Sequence, residues 1–499
     1  MPPDLPLARL PSVLEGYEYE CWEKVLDDSL TGGLRFVNKD ARLSREEELR
    51  SEHWRERVKK LPVLPITPLL KEETLLRRAH HVLAWIMHFY IHTLPVSFSD
   101  IHIPPPITLP LLQLSREMQL PPVLTYSDTV LYNWGFIDPK VATSFPSVTG
   151  TIDPKNLRVL TTFTSTPSEA HFYLVSARME LIGVRALALM QSTLDELFVG
   201  DSIAVRRITQ YLDKLGGGPN ASSLASSRGI IGEMEIELND MTTECDPRVF
   251  YDEIRPWFNG IDPSNLKEGE RKWIFDGIEL DKMLEVPNEL SGPSAGQSSI
   301  IHALDVFLGV QQYSHSKNLT GQRGETNQPS STSPSTQTQK PSFLSRMQLY
   351  MPRHHRNFLT HLQNQSRSLR ALVIDTLASA GLSIDGSPVA GSSSSLSVDS
   401  VDLNDALALL HSYNAAVMAL KSLRDSHIII VTKYIIGPAA RSRREEQEKA
   451  PQWQKVKAEK ELEEEEMDNA PLKGTGGTDL AQFLKGVRDG TRDAIIQPS

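Results

Sequence analysis

The chain has 499 residues, enough for two or three domains with separate cores, and its 39% hydrophobic and 23% charged residues are ordinary for a globular protein. A net charge of −11 argues against nucleic acid as a partner, because phosphate binding needs clustered lysine and arginine. With only Cys21 and Cys245 present, a disulfide framework and a cysteine-rich zinc site are excluded.

The start, Met1-Pro-Pro-Asp-Leu-Pro, lacks the basic and apolar regions of a signal peptide, and no run approaches the roughly eighteen apolar residues of a membrane span. A cytoplasmic protein is expected. Helical periodicity dominates. A helix is expected over 69–94, ended by Pro95, then short helices separated by prolines over 106–135. Around 141–166 the helical period gives way to Thr, Pro and Gly. The division is therefore a small N-terminal domain at 1–145, a linker at 146–167, and a larger helical domain at 168–499.

The larger part opens with a helix over 168–198, with Ser168 as N-cap, and another starts near Gln297. A long helix is expected over 403–436, with Asp402 as cap and Gly437-Pro438 as stop. Segments 315–342 and 386–399 are too polar and small to order themselves, and the charged run 440–470 reads as a solvated face or loop. No strand alternation recurs. The class is mainly α.

On the long helix Leu403, Leu407, Leu410, Val417, Leu420, His427, Val431 and Tyr434 form an apolar stripe. His427 is either a core histidine bonded to a carbonyl or an axial metal ligand, and Arg424 lies one turn earlier. The 168–198 helix carries Phe172, Ser176, Met179, Gly183, Ala186 and Met190. Ser176 and Gly183 either let helices pack closely or leave a slot for a flat ligand.

Other patterns are weaker. Gly292-Pro-Ser294-Ala-Gly296 matches a nucleophile elbow, yet Pro287 and Glu289 spoil the strand it needs. His88 and His92 are spaced for a metal but lack a third ligand, so a buried helix is the plainer reading. His354 and His355 sit between arginines, as in an exposed basic turn. Lys473-Gly-Thr-Gly-Gly-Thr478 lacks a phosphate-loop ending and reads as a hinge or lid.

Segments LPPVLTYSDTVLYNW (120–134), HFYLVSARMEL (171–181), SGPSAGQSSIIHALDVFLGVQQ (291–312), YMPRHHRNFL (350–359), ALKSLRDSHIIIVTKYIIGPA (419–439) and KGTGGTDLAQFLKGVR (473–488) together resemble the indoleamine 2,3-dioxygenases, fungal members in particular. The resemblance implies a small and a large helical domain, with haem b held in the large one. It implies His427 as the proximal iron ligand, Arg424 at a haem propionate, Asp305 as the acid paired with that arginine, and Gly292 beside the cofactor. Ser176 matches the small distal serine, and Arg255 the arginine that holds the substrate carboxylate. Tyr126, Val130, Phe250, Tyr251, Ser294 and Ala295 match the indole pocket, and Thr475 a mobile loop closing over it. Thr129, Tyr251 and Pro293 depart from the animal pattern of cysteine, phenylalanine and glycine.

The implied reaction joins L-tryptophan and dioxygen into N-formyl-L-kynurenine, the first step of the kynurenine route toward NAD, in a monomer with neither nucleic-acid nor membrane partner. A distal side without a strong acid is expected. The alternatives are a haem-binding or haem-sensing protein of the same fold without turnover, and a serine hydrolase acting through Ser294.

Overall fold

The computed structural model describes residues 8–37, 43–96, 100–138, 154–218, 228–263, 266, 271–310, 343–382, 401–449 and 480–497. Helices dominate them, and the strands among the described residues are four pieces of three residues each. The mainly α class expected from the sequence holds.

The N-terminal part contains α1 (Glu20–Thr31), α2 (Arg45–Lys59), α3 (Glu73–His92) and α4 (Pro105–Met118). Every residue of α3 from Ala79 to His92 is buried, so this helix is the centre around which the others pack. Of the short helices expected over 106–135, the first is α4, which tolerates Pro110 in its interior, and Pro121-Pro122 separates it from the next helical piece. A π turn at Ser127–Leu131 and strand β2 (Trp134–Phe136) follow. Strand β1 (Ile101–Ile103) pairs in parallel with β4 (Trp273–Phe275), and β2 pairs antiparallel with β3 (Leu157–Val159). The β1–β4 pair joins the expected small and large domains and the β2–β3 pair joins the small domain to the expected linker 146–167, of which 146–153 lies outside the described residues.

Helix α5 (Pro167–Val199) is capped by Thr166, not Ser168: the Thr166 hydroxyl accepts the Glu169 N–H at 3.3 Å and Pro167 takes the first helical position. The Ser168 hydroxyl instead donates to the Glu244 carbonyl and accepts the Asp246 N–H. The buried Glu169 carboxylate accepts the Phe163 and Thr164 N–H groups at 2.8 and 2.7 Å, which fixes the path of the chain into α5.

Next come α6 (Ser202–Gly216), α7 (Gly229–Glu244), α8 (Ser299–Phe307), α9 (Phe343–Gln348), α10 (Arg353–Gln363) and α11 (Leu369–Ser379). They are followed by α12 (Leu403–Val431), α13 (Gly437–Lys449) and α14 (Leu480–Asp493). Helix α12 packs on α6, α7 and α14, and α5 packs on α6, α7 and α8. A Cβ at Gly216 would stand 2.3 Å from the Ala416 Cα, so only glycine lets α6 and α12 meet this closely.

Several sequence expectations change here. The buried face of α12 starts at Ala406 and Leu409, and Leu403 is exposed. Asp402 stands at the N-cap but makes no side-chain cap bond. Gly437-Pro438 does not stop the helix. A π turn at Thr432–Ile436 sends the Gly437 N–H back to the Thr432 carbonyl, and the widened ladder absorbs the donor that Pro438 lacks, so α13 runs on to Lys449. The first ten residues of the charged run 440–470 are therefore helical. Its remainder from 450, with 315–342 and 386–399, lies outside the described residues. His354 and His355 open α10 rather than an exposed turn, and His355 is buried with Nδ1 2.8 Å from the Ser299 hydroxyl.

Candidate active site

The C-terminal half of α12 borders a cavity of about 1970 Å³, counted with its mouth. Helix α12 contributes Leu420, Leu423, Arg424 and His427, and α5 contributes Phe172, Ser176, Met179 and Glu180. The remaining walls are Tyr126, Thr129 and Val130, the turn bearing Phe250 and Arg255, the loop 293–298, α8, and Phe483, Leu484 and Val487 of α14. Of the residues singled out by sequence, Tyr126, Val130, Ser176, Phe250, Arg255, Ser294, Ala295, Asp305, Arg424 and His427 all border this one space. Thr475 lies outside the described residues.

Two others stand back from the cavity. Tyr251 packs its ring 5.6 Å from the Arg255 guanidinium. Gly292 serves chain packing: a Cβ there would stand 1.7 Å from the Phe258 carbonyl oxygen, so the loop before α8 can cross the 258–260 segment only as glycine.

His427 is half-buried, and among the described residues nothing hydrogen-bonds its ring. Burial, followed by the nearby charge of Arg424, pushes its pKa down to about 4, so the imidazole is neutral at pH 7 and keeps a lone pair for an electrophile. A second histidine, His302, borders the same cavity, which sequence reading missed. Its Nε2 lies 3.0 Å from the Gly296 carbonyl and its Nδ1 3.4 Å from the Gln348 amide, so both nitrogens are engaged. His427 is thus the better ligand of the pair.

Arg424, one turn from His427, donates to the buried Asp305 carboxylate and to the Thr491 hydroxyl. The ion pair fixes a cation at the edge of an otherwise largely apolar space. A flat apolar macrocycle with carboxylate arms and an iron that needs one nitrogen ligand fits this donor set: an uncommitted imidazole, a fixed arginine and walls of Leu, Phe, Met and Ile.

The stripe on α5 divides in two. At Gly183 a Cβ would lie 2.6 Å from Ile300 Cγ1, so this small residue serves close packing. Ser176, two turns earlier, borders the cavity, and its hydroxyl donates to the Phe172 carbonyl at 3.3 Å. Its proton is committed to the helix.

Contrary to the expected distal side, the wall does carry a carboxylate. Glu180 Oε1 accepts the Tyr126 hydroxyl at 3.0 Å and the Ser298 hydroxyl at 2.6 Å. Burial, and then the Glu180 charge, hold the Tyr126 phenol well above its ordinary pKa, so it stays a donor. Glu180 sits one turn after Ser176 on the same helical row, a signal that spacing carried and that went unread. Gln297 ties the walls together, accepting the Tyr126 N–H at 2.8 Å and donating to the Gly292 carbonyl at 2.9 Å.

Arg255 follows a π turn at Val249–Ile254 that brings Phe250 and Arg255 to the same wall. Phe250 packs against Phe172 with ring centroids 4.8 Å apart and against Tyr434 at 5.8 Å. Burial lowers the Arg255 pKa from its ordinary value, yet so strong a base remains a cation.

Ser294 is no strained nucleophile. Its backbone is extended (φ −147°, ψ 145°), its hydroxyl accepts the Gly296 N–H, and an isolated bridge at Leu290 stands where an elbow needs a strand. His88 and His92 spend their rings on the Trp257 and Asn259 carbonyls, at 3.0 and 3.1 Å. Among the described residues no cluster of three or more His, Cys, Asp or Glu side chains could hold a metal, and no helix is long and apolar enough to cross a membrane.

Comparison with known proteins agrees with this geometry. The sequence profile of the family described as indoleamine 2,3-dioxygenase matches residues 1–494. The chain is 30% identical to the indoleamine 2,3-dioxygenase of Saccharomyces cerevisiae, over 98% of this chain and 89% of the yeast protein. It is 27% identical to indoleamine 2,3-dioxygenase 1 of Rattus norvegicus, over 89% of this chain and 85% of the rat protein. It is also 24% identical to a 6-hydroxytryptophan 2,3-dioxygenase of Fusarium equiseti, over 99% and 95% of the two chains.

Proposed function

Given that this chain belongs to the indoleamine 2,3-dioxygenase family, haem-dependent dioxygenases acting on tryptophan-type indoles, we propose that it cleaves the C2–C3 bond of L-tryptophan with dioxygen to give N-formyl-L-kynurenine. Both oxygen atoms enter the product and nothing leaves. Haem b, bound through His427, supplies the redox centre that lets triplet dioxygen react with a closed-shell indole. The observation that carries the reading is His427: a neutral, uncommitted imidazole on the same cavity as a buried arginine.

The chain's own residues act by placement. His427 would hold the iron, and Arg424, steadied by Asp305, would meet a propionate. Arg255 binds the substrate carboxylate through charge-assisted bonds worth about 1.5–3 kcal/mol each. Phe250, Tyr126 and Val130 confine the indole, and such orientation can lower a barrier by roughly 7–11 kcal/mol. Tyr126 is itself fixed by Glu180, and Ser176 leaves room beside the ring without a proton to give. A haem sensor without turnover has no use for Arg255 at this wall.

The test mixes reduced, haem-loaded protein with L-tryptophan or 6-hydroxytryptophan and dioxygen, and follows formylkynurenine absorbance. Rapid product from tryptophan is expected. Arg255→Ala should raise KM for tryptophan on the order of 100-fold, by loss of one or two charged hydrogen bonds, and leave tryptamine, which has no carboxylate, nearly unchanged. Equal losses with both substrates, or no product from tryptophan, would reject the proposal.

A further inference from the structure

Beside the main cavity lies a second one of about 610 Å³, counted with its mouth. Its lining is chiefly carbon, with Leu181, Val184 and Leu187 of α5 facing Ala303 of α8 and Phe358 of α10. The polar side chains on its wall already have partners. His355 and Ser299 bond each other at 2.8 Å, the Trp134 indole donates to the Leu131 carbonyl at 3.0 Å, and Glu180 accepts Tyr126 and Ser298. Among the described residues no lysine or arginine borders it, whereas Arg255 and Arg424 both border the main cavity. The small cavity therefore suits an uncharged apolar molecule and has no counter-ion for an amino-acid carboxylate.

The two cavities share Glu180 and Ile300, so these two residues border both spaces. Ile300 reaches across to the bare backbone of Gly183, where a Cβ would come within 2.6 Å of Ile300 Cγ1. Any side chain at 183 would push Ile300 out of its place. The partition is thus Glu180, pinned by its bonds to Tyr126 and Ser298, and Ile300, whose buried aliphatic side chain is held only by packing against a glycine.

We propose that the small cavity is the route by which dioxygen reaches the main cavity, with Ile300 as its gate. This rests on the haem dioxygenase reading. Dioxygen is diatomic, apolar and uncharged, and dry apolar cavities take up such molecules, xenon among them. Tryptophan, held by Arg255, fills the main cavity from the charged side. A separate apolar approach lets the gas arrive while the amino acid is seated.

The test has two readouts. Crystals pressurised with xenon should show a xenon atom among Val184, Leu187 and Phe358, whether or not haem is bound, so this arm survives a failure of the haem reading. In the reduced haem protein, carbon monoxide association is followed after flash photolysis. Val184→Trp, which fills the small cavity from a position that does not border the main one, should slow association about tenfold. Ile300→Ala should speed it several-fold. The haem spectrum and anaerobic tryptophan affinity of Val184→Trp should stay native. Should that variant fail to fold, Ala303→Leu fills the same space from α8. No xenon in the small cavity, or association within twofold of wild type in the filled variant and in Ile300→Ala alike, overturns the proposal.

Discussion

The histidines of α3 and His427 of α12 sit in similarly apolar surroundings and have opposite fates. His80, His81, His88 and His92 are all fully or nearly buried, and each ring makes at least one hydrogen bond, with His81 Nδ1 left without a partner. His80 faces Asp128 at 3.0 Å, and His81 faces the Thr161 hydroxyl at 3.3 Å. The Trp257 carbonyl holds His88 Nδ1 while His88 Nε2 accepts the Leu124 N–H, which fixes its tautomer. His427 is less buried and has none of these bonds. Depth of burial therefore does not mark a ligand histidine. What marks it is a lone pair left unspent on the wall of a void.

That contrast breaks most sharply under substitution. His427→Ala should abolish the haem Soret band and activity while costing little stability, since its ring bonds nothing. His88→Ala should do the reverse. It leaves the Leu124 N–H and the Trp257 carbonyl unpaired beside a new hole, at a cost of about 4 kcal/mol, a large part of a typical total stability. Urea unfolding together with the spectrum of each variant checks both. A His88→Ala protein that stays stable but loses haem would reverse the assignment.

A second expected effect concerns acid. His88 and His427 are both held near a pKa of about 4, His88 by burial and His427 by burial and Arg424. An unfolded histidine titrates near 6.5, so between pH 6.5 and 4 the unfolded chain binds protons that the folded one refuses. Stability should then be full above pH 6.5 and fall as pH drops toward 4. His88 alone accounts for about 3 kcal/mol of that loss. His427 adds less, because its ring meets water in the haem-free cavity. His80 runs the other way: burial lowers it, but Asp128 outweighs burial and raises it, so its contribution is lost only as pH rises. Unfolding free energies of the haem-free protein from pH 7 to 4 measure the slope. A flat profile would mean these histidines are not held neutral.

The difference between the two helices was only partly legible in the sequence. The apolar stripe put His427 on the inner face of α12, and the resemblance joined it to Arg424 and Asp305. The engagement of the α3 histidines was hidden, because His88 and His92 find their partners 169 and 167 residues away. The π turns at 127–131, 249–254 and 432–436 were also hidden, since residue preferences do not separate i→i+5 from i→i+4 bonding. They matter to the site, because they supply Val130, Phe250 and Tyr434. His302 competes with His427 on paper, and only the Gly296 carbonyl and the Gln348 amide separate them. The place of Glu180 was hidden for the same reason, since its partners Tyr126 and Ser298 are 54 and 118 residues away.

The smallest expected effect tests the distal wall. Ser176 faces the cavity, but its hydroxyl proton goes to the Phe172 carbonyl four residues back. A serine in that arrangement can accept a hydrogen bond from an indole N–H but has no proton to give. Ser176→Ala should thus keep kcat within a few-fold and raise KM by no more than the worth of one neutral hydrogen bond, about 1 kcal/mol or several-fold. The same substitution should leave 1-methyltryptophan, which has no N–H to donate, unaffected in binding. A fall in kcat on the order of 100-fold would show that Ser176 leaves the helix and enters the proton chemistry, a role that its bond to Phe172 now denies it.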